Sequence, residues 1–303
     1  MTEYNIRKIL VPVDFSRAAI NALDTAIALA NQHNATILLL NVIETGGMAS
    51  DNSIHEHTIN AMIRNSKDEL QSLQVSIIDR LLLPCEVVNV QGKVAPSILS
   101  TCHEQQIDLV VMGTHGESGF KEIFIGSNAY NVVINSACPV LTIPPEKKWE
   151  QFRKILFPIR PIPSAIEKYD FVKKIMSRTE GEIKILGLAN DYEREVDILK
   201  DMASQLNERL KDDKVRTSAY FKVGSNMADE VLKIAGLMET DLIVITATID
   251  PASNQFFVGH YTQYIINHSH YPVLSIKPAG NERYDLEATQ FNESVTPEMQ
   301  FYN

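Results

Sequence analysis

The residues best placed to do chemistry in this chain are glycines. Gly113-Thr114-His115-Gly116 is followed, nine residues later, by Gly126-Ser127, with Gly119 between them. The array comes straight after the apolar run Asp108-Leu109-Val110-Val111-Met112, which the pattern predicts as a buried strand, and ahead of a helix-like stretch at 128–136. Glycines at the carboxyl end of a strand let backbone N–H groups approach phosphate oxygens, because no Cβ intervenes. Gly126-Ser127 opens the helix and adds free N–H groups and a favourable dipole end. Three glycines and a serine at these spacings read as a cradle for nucleotide phosphates. The alternative is a strand-to-helix loop whose glycines merely turn the chain.

Other candidates weigh less. His115 and Ser127 lie near the expected phosphates and could assist slow hydrolysis or accept a phosphoryl group. There is no Gly-x(4)-Gly-Lys-[Ser/Thr] loop and no kinase motif set, so no residue is assigned a catalytic role. His55-Glu56-His57 and His268-Ser269-His270 place histidines two apart, yet neither has a cysteine ligand nearby, and both read as solvated loop histidines without metal. Cys85, Cys102 and Cys138 form no C-x-x-C pair and sit at or near apolar runs, as reduced core thiols do in a cytoplasmic protein.

The elements that must position the glycines are short and alternate in type. Strands are expected near 7–13, 36–42, 85–90, 108–112 and 139–143, each rich in Val, Ile and Leu, as parallel strands covered on both faces are. Ala19, Ala22, Leu23, Ala26, Ile27 and Ala30 recur at helical spacing behind a capping Ser16. A second helix places Ile59, Met62, Ile63, Leu70 and Leu73 on one face. Alternating strands and helices predict a doubly wound, Rossmann-like parallel sheet of five strands, with ligands at the strands' carboxyl ends near the switch in strand order.

The pattern then repeats. Lys8-Ile-Leu-Val-Pro-Val returns as Lys154-Ile-Leu-Phe-Pro-Ile, Asp108-Leu-Val-Val as Asp241-Leu-Ile-Val, and Cys138-Pro-Val-Leu-Thr-Ile as Tyr271-Pro-Val-Leu-Ser-Ile. The offset falls from 146 to 133, so the first copy carries a longer middle, expected around 46–76. The expected division is a first domain at 1–145, a linker at 146–153 holding Trp149, a second domain at 154–278 and a polar tail at 279–303. Trp149 is expected to pin the linker onto a domain, the alternative being an exposed contact site.

Gly-x-x-Gly-x(9)-Gly-Ser, followed by Pro139-Val140-Leu141, and the opening Lys8-Ile-Leu-Val-Pro-Val-Asp14-Phe-Ser16 resemble the universal stress protein family. The resemblance covers roughly residues 4–145. It implies tandem adenine nucleotide alpha-hydrolase-like domains forming an intramolecular pseudo-dimer, in which Val140–Ile143 and Val273–Ile276 pair edge to edge. It also implies an ATP site; because a chain of net charge −10 repels ATP at long range, local amide dipoles and Mg²⁺ are expected to hold the phosphates. In the family, the position matching Asp14 contacts adenosine, the backbone matching Val42 contacts adenine, and those matching Gly113, Gly116, Gly126, Ser127 and Asn128 surround ribose and phosphates. Pro12, Met112 and His115 are placed in the same site. For Asp14 the plain alternative is a turn aspartate. Where many members carry a basic residue after the second glycine this chain has Glu117; Lys121 could reach the phosphates or simply face solvent.

In the second copy Asp14 is replaced by Arg160, Gly113 by Thr246, Gly116 by Ile249 and Ser127 by His260, while Gly259 survives. Side chains at 246 and 249 should fill the phosphate space, so this copy is expected to be a structural partner without ATP, unless Arg160 and His260 serve another anion.

At 303 residues and 45% apolar content the chain can bury two cores. A net charge of −10 and a pI near 5.3, with no basic block, exclude nucleic acid as a partner over most of the surface. No apolar run reaches membrane-span length and no signal-peptide pattern opens the chain, so a cytoplasmic protein off the membrane is expected. Three functions follow: a nucleotide-dependent stress-response regulator or binding module, a slow ATPase or autophosphorylating enzyme, and a protein–protein scaffold with a vestigial pocket. Protein partners are not named by the sequence, and a homodimer of whole chains stays open.

Overall fold

The computed structural model describes residues 5–44, 54–114, 126–145, 149–162, 165–176, 181–190, 192–247 and 256–277. The first half runs β1 (Lys8–Pro12), α1 (Arg17–His33), β2 (Thr36–Ile43), α2 (Ile54–Leu81), β3 (Cys85–Gln91), α3 (Val94–Glu104), β4 (Leu109–Gly113), α4 (Ser127–Asn135) and β5 (Val140–Ile143). The second repeats it: β6 (Lys154–Ile159), α5 (Tyr169–Ile175), β7 (Glu182–Ala189), α6 (Tyr192–Asp212), β8 (Arg216–Val223), α7 (Met227–Leu237), β9 (Leu242–Thr246), α8 (Phe256–His268) and β10 (Val273–Ile276).

All ten strands form one sheet in the order β3-β2-β1-β4-β5-β10-β9-β6-β7-β8. Pairing within each half is parallel, and strand order switches between β1 and β4 and again between β6 and β9. The halves meet where β5 and β10 pair antiparallel, Leu141 opposite Leu274, as the sequence led us to expect. Each end strand thereby covers an edge that would otherwise be open.

Alternation along the strands sends side chains to both faces. Ile9 and Val11 join Phe157 and Ile159 on one side of the sheet, while Leu10 joins Leu156 and Leu186 on the other, so each apolar layer is built by both halves. Trp149 is buried in the first of these layers. Its backbone N–H donates to Thr25 Oγ1 of α1 (3.2 Å), and its ring lies 6.1 Å from that of Tyr271. The Trp149 ring is therefore buried against both halves and is not an exposed contact site.

Ser16 accepts the Ala19 N–H (3.2 Å) and starts α1, and Asn34 ends it in the left-handed region. The extra length of the first half lies between β2 and β3, where α2 has 28 residues against 21 in α6. The expected apolar face of α2 needs one correction. Met62 is 45% exposed, and the buried side of the helix runs through Ser66, Leu70 and Ile77. The covered stripe runs at three- and four-residue spacing through Ile59, Ile63, Ser66, Leu70, Leu73 and Ile77, and Met62 lies beside it on the solvent side.

Candidate functional site

Two strand ends and two helix starts converge at the switch between β1 and β4. Just past β1, the Val13 N–H donates to the Leu40 carbonyl (2.8 Å). The Asp14 side chain is exposed, and its Oδ1 accepts the Ser16 N–H (3.0 Å), an Asx-type turn around Phe15, whose φ is 62°. The turn thus starts α1 and holds a carboxylate at the crevice mouth. Pro12, half-buried, closes β1 beneath it.

Alternation along β2 fixes where its peptide groups look. Leu40 gives its carbonyl toward β1, whereas Ile43 gives its carbonyl to Gly92 on the β3 side (3.0 Å). Val42, two residues beyond Leu40, therefore turns its N–H and C=O toward the β1 side. There β1 has ended, and no backbone group among the described residues answers them. A donor and an acceptor side by side on a strand edge can read the edge of a planar heterocycle.

Behind this edge lies a chain of polar side chains. Asn41 Nδ2 donates to the Val13 carbonyl (2.6 Å), Ser66 Oγ donates to Asn41 Oδ1 (2.6 Å), and Asn89 Nδ2 donates to Ser66 Oγ (2.7 Å). It links the residue before Asp14 to β2, α2 and β3 and leaves little freedom at the crevice wall.

The glycines at the other wall serve different ends. A Cβ on Gly113 would sit 2.9 Å from Ala18 Cβ and 3.0 Å from the Ala18 carbonyl carbon, so α1 packs directly on this position. Gly126 carries no such demand: the nearest atom to an added Cβ is the Thr114 oxygen at 3.7 Å. Thr114 N–H donates to Ile143 O (3.2 Å) and Gly126 N–H to Thr114 O (2.9 Å), which clamps both ends of the intervening loop. Gly126 is the N-cap of α4 and offers no side-chain cap to its first turn. Ser127 is exposed and Asn128 half-buried at that turn, while the Met112 side chain is buried in the core, leaving only its main chain for a ligand. His115, Gly116, Glu117, Gly119 and Lys121 lie outside the described residues.

The same crevice in the second half is filled by its own side chains. Thr246 stands buried where Gly113 is, and the buried Lys168 donates to the Pro158 carbonyl and lies 3.4 Å from Thr246 Oγ1 and 4.5 Å from the Phe157 ring centre. Burial, then the nearby Arg160, pushes the Lys168 ammonium well below its usual range. Arg160 rests 4.9 Å over the Tyr261 ring; burial pushes the Tyr261 hydroxyl up to about 12, against the pull of Arg160. The in-register pair Asn41–Asn89 becomes Gly187–Phe221, with the Phe221 ring where a side chain at 187 would project. Ile249 and the His260 side chain lie outside the described residues. His268 stacks on Tyr264 (4.1 Å) at the end of α8, and the side chains of His55 and His57 are undescribed.

Comparison with known proteins settles the family. The Universal stress protein family matches residues 5–144 and 175–277. The chain belongs to the universal stress protein family. The universal stress protein YxiE of Bacillus subtilis is 29% identical over 144 residues, which are 97% of that protein and 45% of this chain. Universal stress protein MJ0531 of Methanocaldococcus jannaschii is 26% identical over 145 residues, 84% of that protein and 47% of this one. A crystal structure of a universal stress protein from Archaeoglobus fulgidus superposes with a TM-score of 0.72 at 18% identity, covering 92% of this chain and 98% of its own. A functionally unknown protein, PA1789, from Pseudomonas aeruginosa shares the fold over 94% of this chain and 97% of its own (TM-score 0.59, 13% identity).

This universal stress protein thus carries the family domain twice, and the family match omits the stretch that holds Arg160 and Lys168. The sequence reading missed Asn41, Ser66, Asn89 and Lys168. The first three are polar residues inside predicted strands or a helix, a conflict of pattern that was the available signal. Lys168, beside Asp170, looked like any solvated lysine. No helix among the described residues is long and apolar enough to cross a membrane.

Proposed function

We propose that this universal stress protein binds ATP in its first half alone and uses it as a ligand that sets conformation or partner choice. The observation that carries the reading is Gly126: packing leaves room for a side chain there, yet the N-cap of α4 has none. Ser, Asp or Asn at that position would satisfy the helix's own N–H groups; glycine leaves them for an outside acceptor such as phosphate. The Val42 peptide, facing past the end of β1, would take the adenine edge, and Asp14 the ribose. Ser127 and Asn128 would line the phosphates. Mg²⁺ would arrive on those phosphates and reduce their charge, which a chain of net charge −10 otherwise repels at long range. A ligand role is favoured over turnover because the chain carries neither a Gly-x(4)-Gly-Lys-[Ser/Thr] loop nor the kinase motif set that place cations on a leaving phosphate.

Calorimetric titration of nucleotide-free protein with Mg-ATP tests this directly. One site per chain is expected, lost in Gly126→Val with folding intact. Two sites would overturn the silent second half. No binding would favour the scaffold function, and steady phosphate release abolished by Ser127→Ala would favour an enzyme.

A further inference from the structure

The carboxyl ends of β6 and β9 hold two cations and, among the described residues, no carboxylate paired with either. Lys168 is 4% exposed. Its Nζ donates to the Pro158 carbonyl of β6 and lies 3.4 Å from Oγ1 of Thr246, the last residue of β9, so it bridges the switch in strand order. Both partners are neutral. Arg160 follows β6 directly and is half-buried, with its guanidinium 4.9 Å over the Tyr261 ring of α8 and no hydrogen-bond partner among the described residues. Arg160 keeps its charge at any working pH. Burial, and after it the like charge of Arg160, depress the Lys168 ammonium, so the pair is short of a counter-charge. The helix that follows β9 has changed as well. α4 begins directly after Gly126 and leaves its first N–H groups free. α8 begins at Phe256, ahead of the matching Gly259, so the N–H groups after that glycine find carbonyls within the helix. The first half offers an anion amides; the second offers cationic side chains.

We propose that the second half binds a phosphoryl group, as the free ion or as the head of a phosphate monoester, at Arg160 and Lys168 where β6 and β9 end. The planar Arg160 fork donates to two of its oxygens, and stacking on Tyr261 holds that fork in place. Lys168 has a third N–H to give beyond those aimed at Pro158 and Thr246. Two cations match a phosphate dianion, whereas a carboxylate would neutralise one of them. The inference is independent of ATP in the first half, which uses other residues.

The test titrates full-length protein calorimetrically, in phosphate-free buffer, with inorganic phosphate and separately with glycerol phosphate. Wild type and Gly126→Val are compared, because the start of α4 could itself take a phosphate. One site per chain is expected in both, weakened about tenfold or more by Arg160→Gln and by Lys168→Met, as loss of a charged hydrogen bond predicts. Tighter binding of the inorganic ion would support the free ion as the ligand, and tighter binding of the ester would support the head of a larger molecule. Binding of neither probe, or binding that survives both the Arg160 and Lys168 substitutions, would overturn the proposal and leave Lys168 as an internal prop for the Pro158 carbonyl. Binding lost in Gly126→Val would place the ion in the first half and overturn it too. As a second readout, phosphate should raise the melting temperature of Gly126→Val and leave that of the Gly126→Val, Arg160→Gln double variant unmoved. That comparison stands even if Lys168→Met folds poorly. Mg-ATP binding is read separately, so neither result decides the other.

Discussion

Gly113 and Gly126 belong to one motif and answer to different forces. At Gly113 the constraint is internal, since the Ala18 backbone occupies the space a Cβ needs. Gly113→Ala should cost about 1–3 kcal/mol, as overpacking does, and lower the melting temperature whether or not nucleotide is present. Gly126→Ala should leave the melting temperature of the nucleotide-free protein nearly unchanged, since the added Cβ meets only an ordinary contact; thermal denaturation of both variants distinguishes the cases. Lys168 yields a pH prediction. Its folded value is depressed, so the unfolded chain binds the extra proton between that value and the ordinary 10.5. Stability should therefore rise with pH across this window and be lost as pH falls through it, by about 1.4 kcal/mol for each unit of depression. Denaturant unfolding of the wild type and Lys168→Met at pH 7, 8.5 and 10 should show the wild type gaining relative to the variant. Parallel curves would mean that the ammonium is not held in a dry site.

Among the elements, α2 does most to shape the crevice wall from a distance. Ser66 presents a hydroxyl from an otherwise apolar stripe to Asn41 and Asn89 at once. Ser66→Ala leaves both amides short of a partner and should cost about 1–3 kcal/mol; it should also weaken ATP in calorimetry, because the Val13 carbonyl ahead of Asp14 loses its anchored donor. Unchanged affinity with lowered stability would confine the network to the scaffold. The strands were legible in advance because Val- and Ile-rich runs buried on both faces have few other places to go, and β4 with its glycines pointed to the candidate site. The polar chain was not legible, since Asn41, Ser66 and Asn89 come from elements that meet only when β2, α2 and β3 are assembled. Met62 misled because an apolar residue one position off the covered stripe looks, in sequence, like part of it. Lys168 misled because a lysine's ordinary place is in water.

At the scale of the whole molecule, both apolar layers draw on both halves, and Trp149, buried in one layer, touches Thr25 of the first half and Tyr271 of the second. It is also the single tryptophan, so its emission reports that junction. Emission should be blue-shifted in the native protein, and its red shift on heating should coincide with loss of far-ultraviolet circular dichroism, one transition for both halves. A shift that precedes the main loss of secondary structure would mean that the seam opens first. Trp149→Ala should cost about 3–5 kcal/mol and separate the two transitions.

The antiparallel join of β5 to β10 has a quantitative consequence. Because the two edges belong to one covalent chain, their meeting is unimolecular, and dilution leaves it unaltered. Separate copies would pair like with like and part as their concentration fell. Here a half whose strand end carries Gly113 always sits beside one whose matching strand end carries Thr246 over the buried Lys168. With ATP confined to the first, occupancy per paired unit would stop at one, and the response to ATP would follow a simple hyperbola, with no second like site to sharpen it into a threshold.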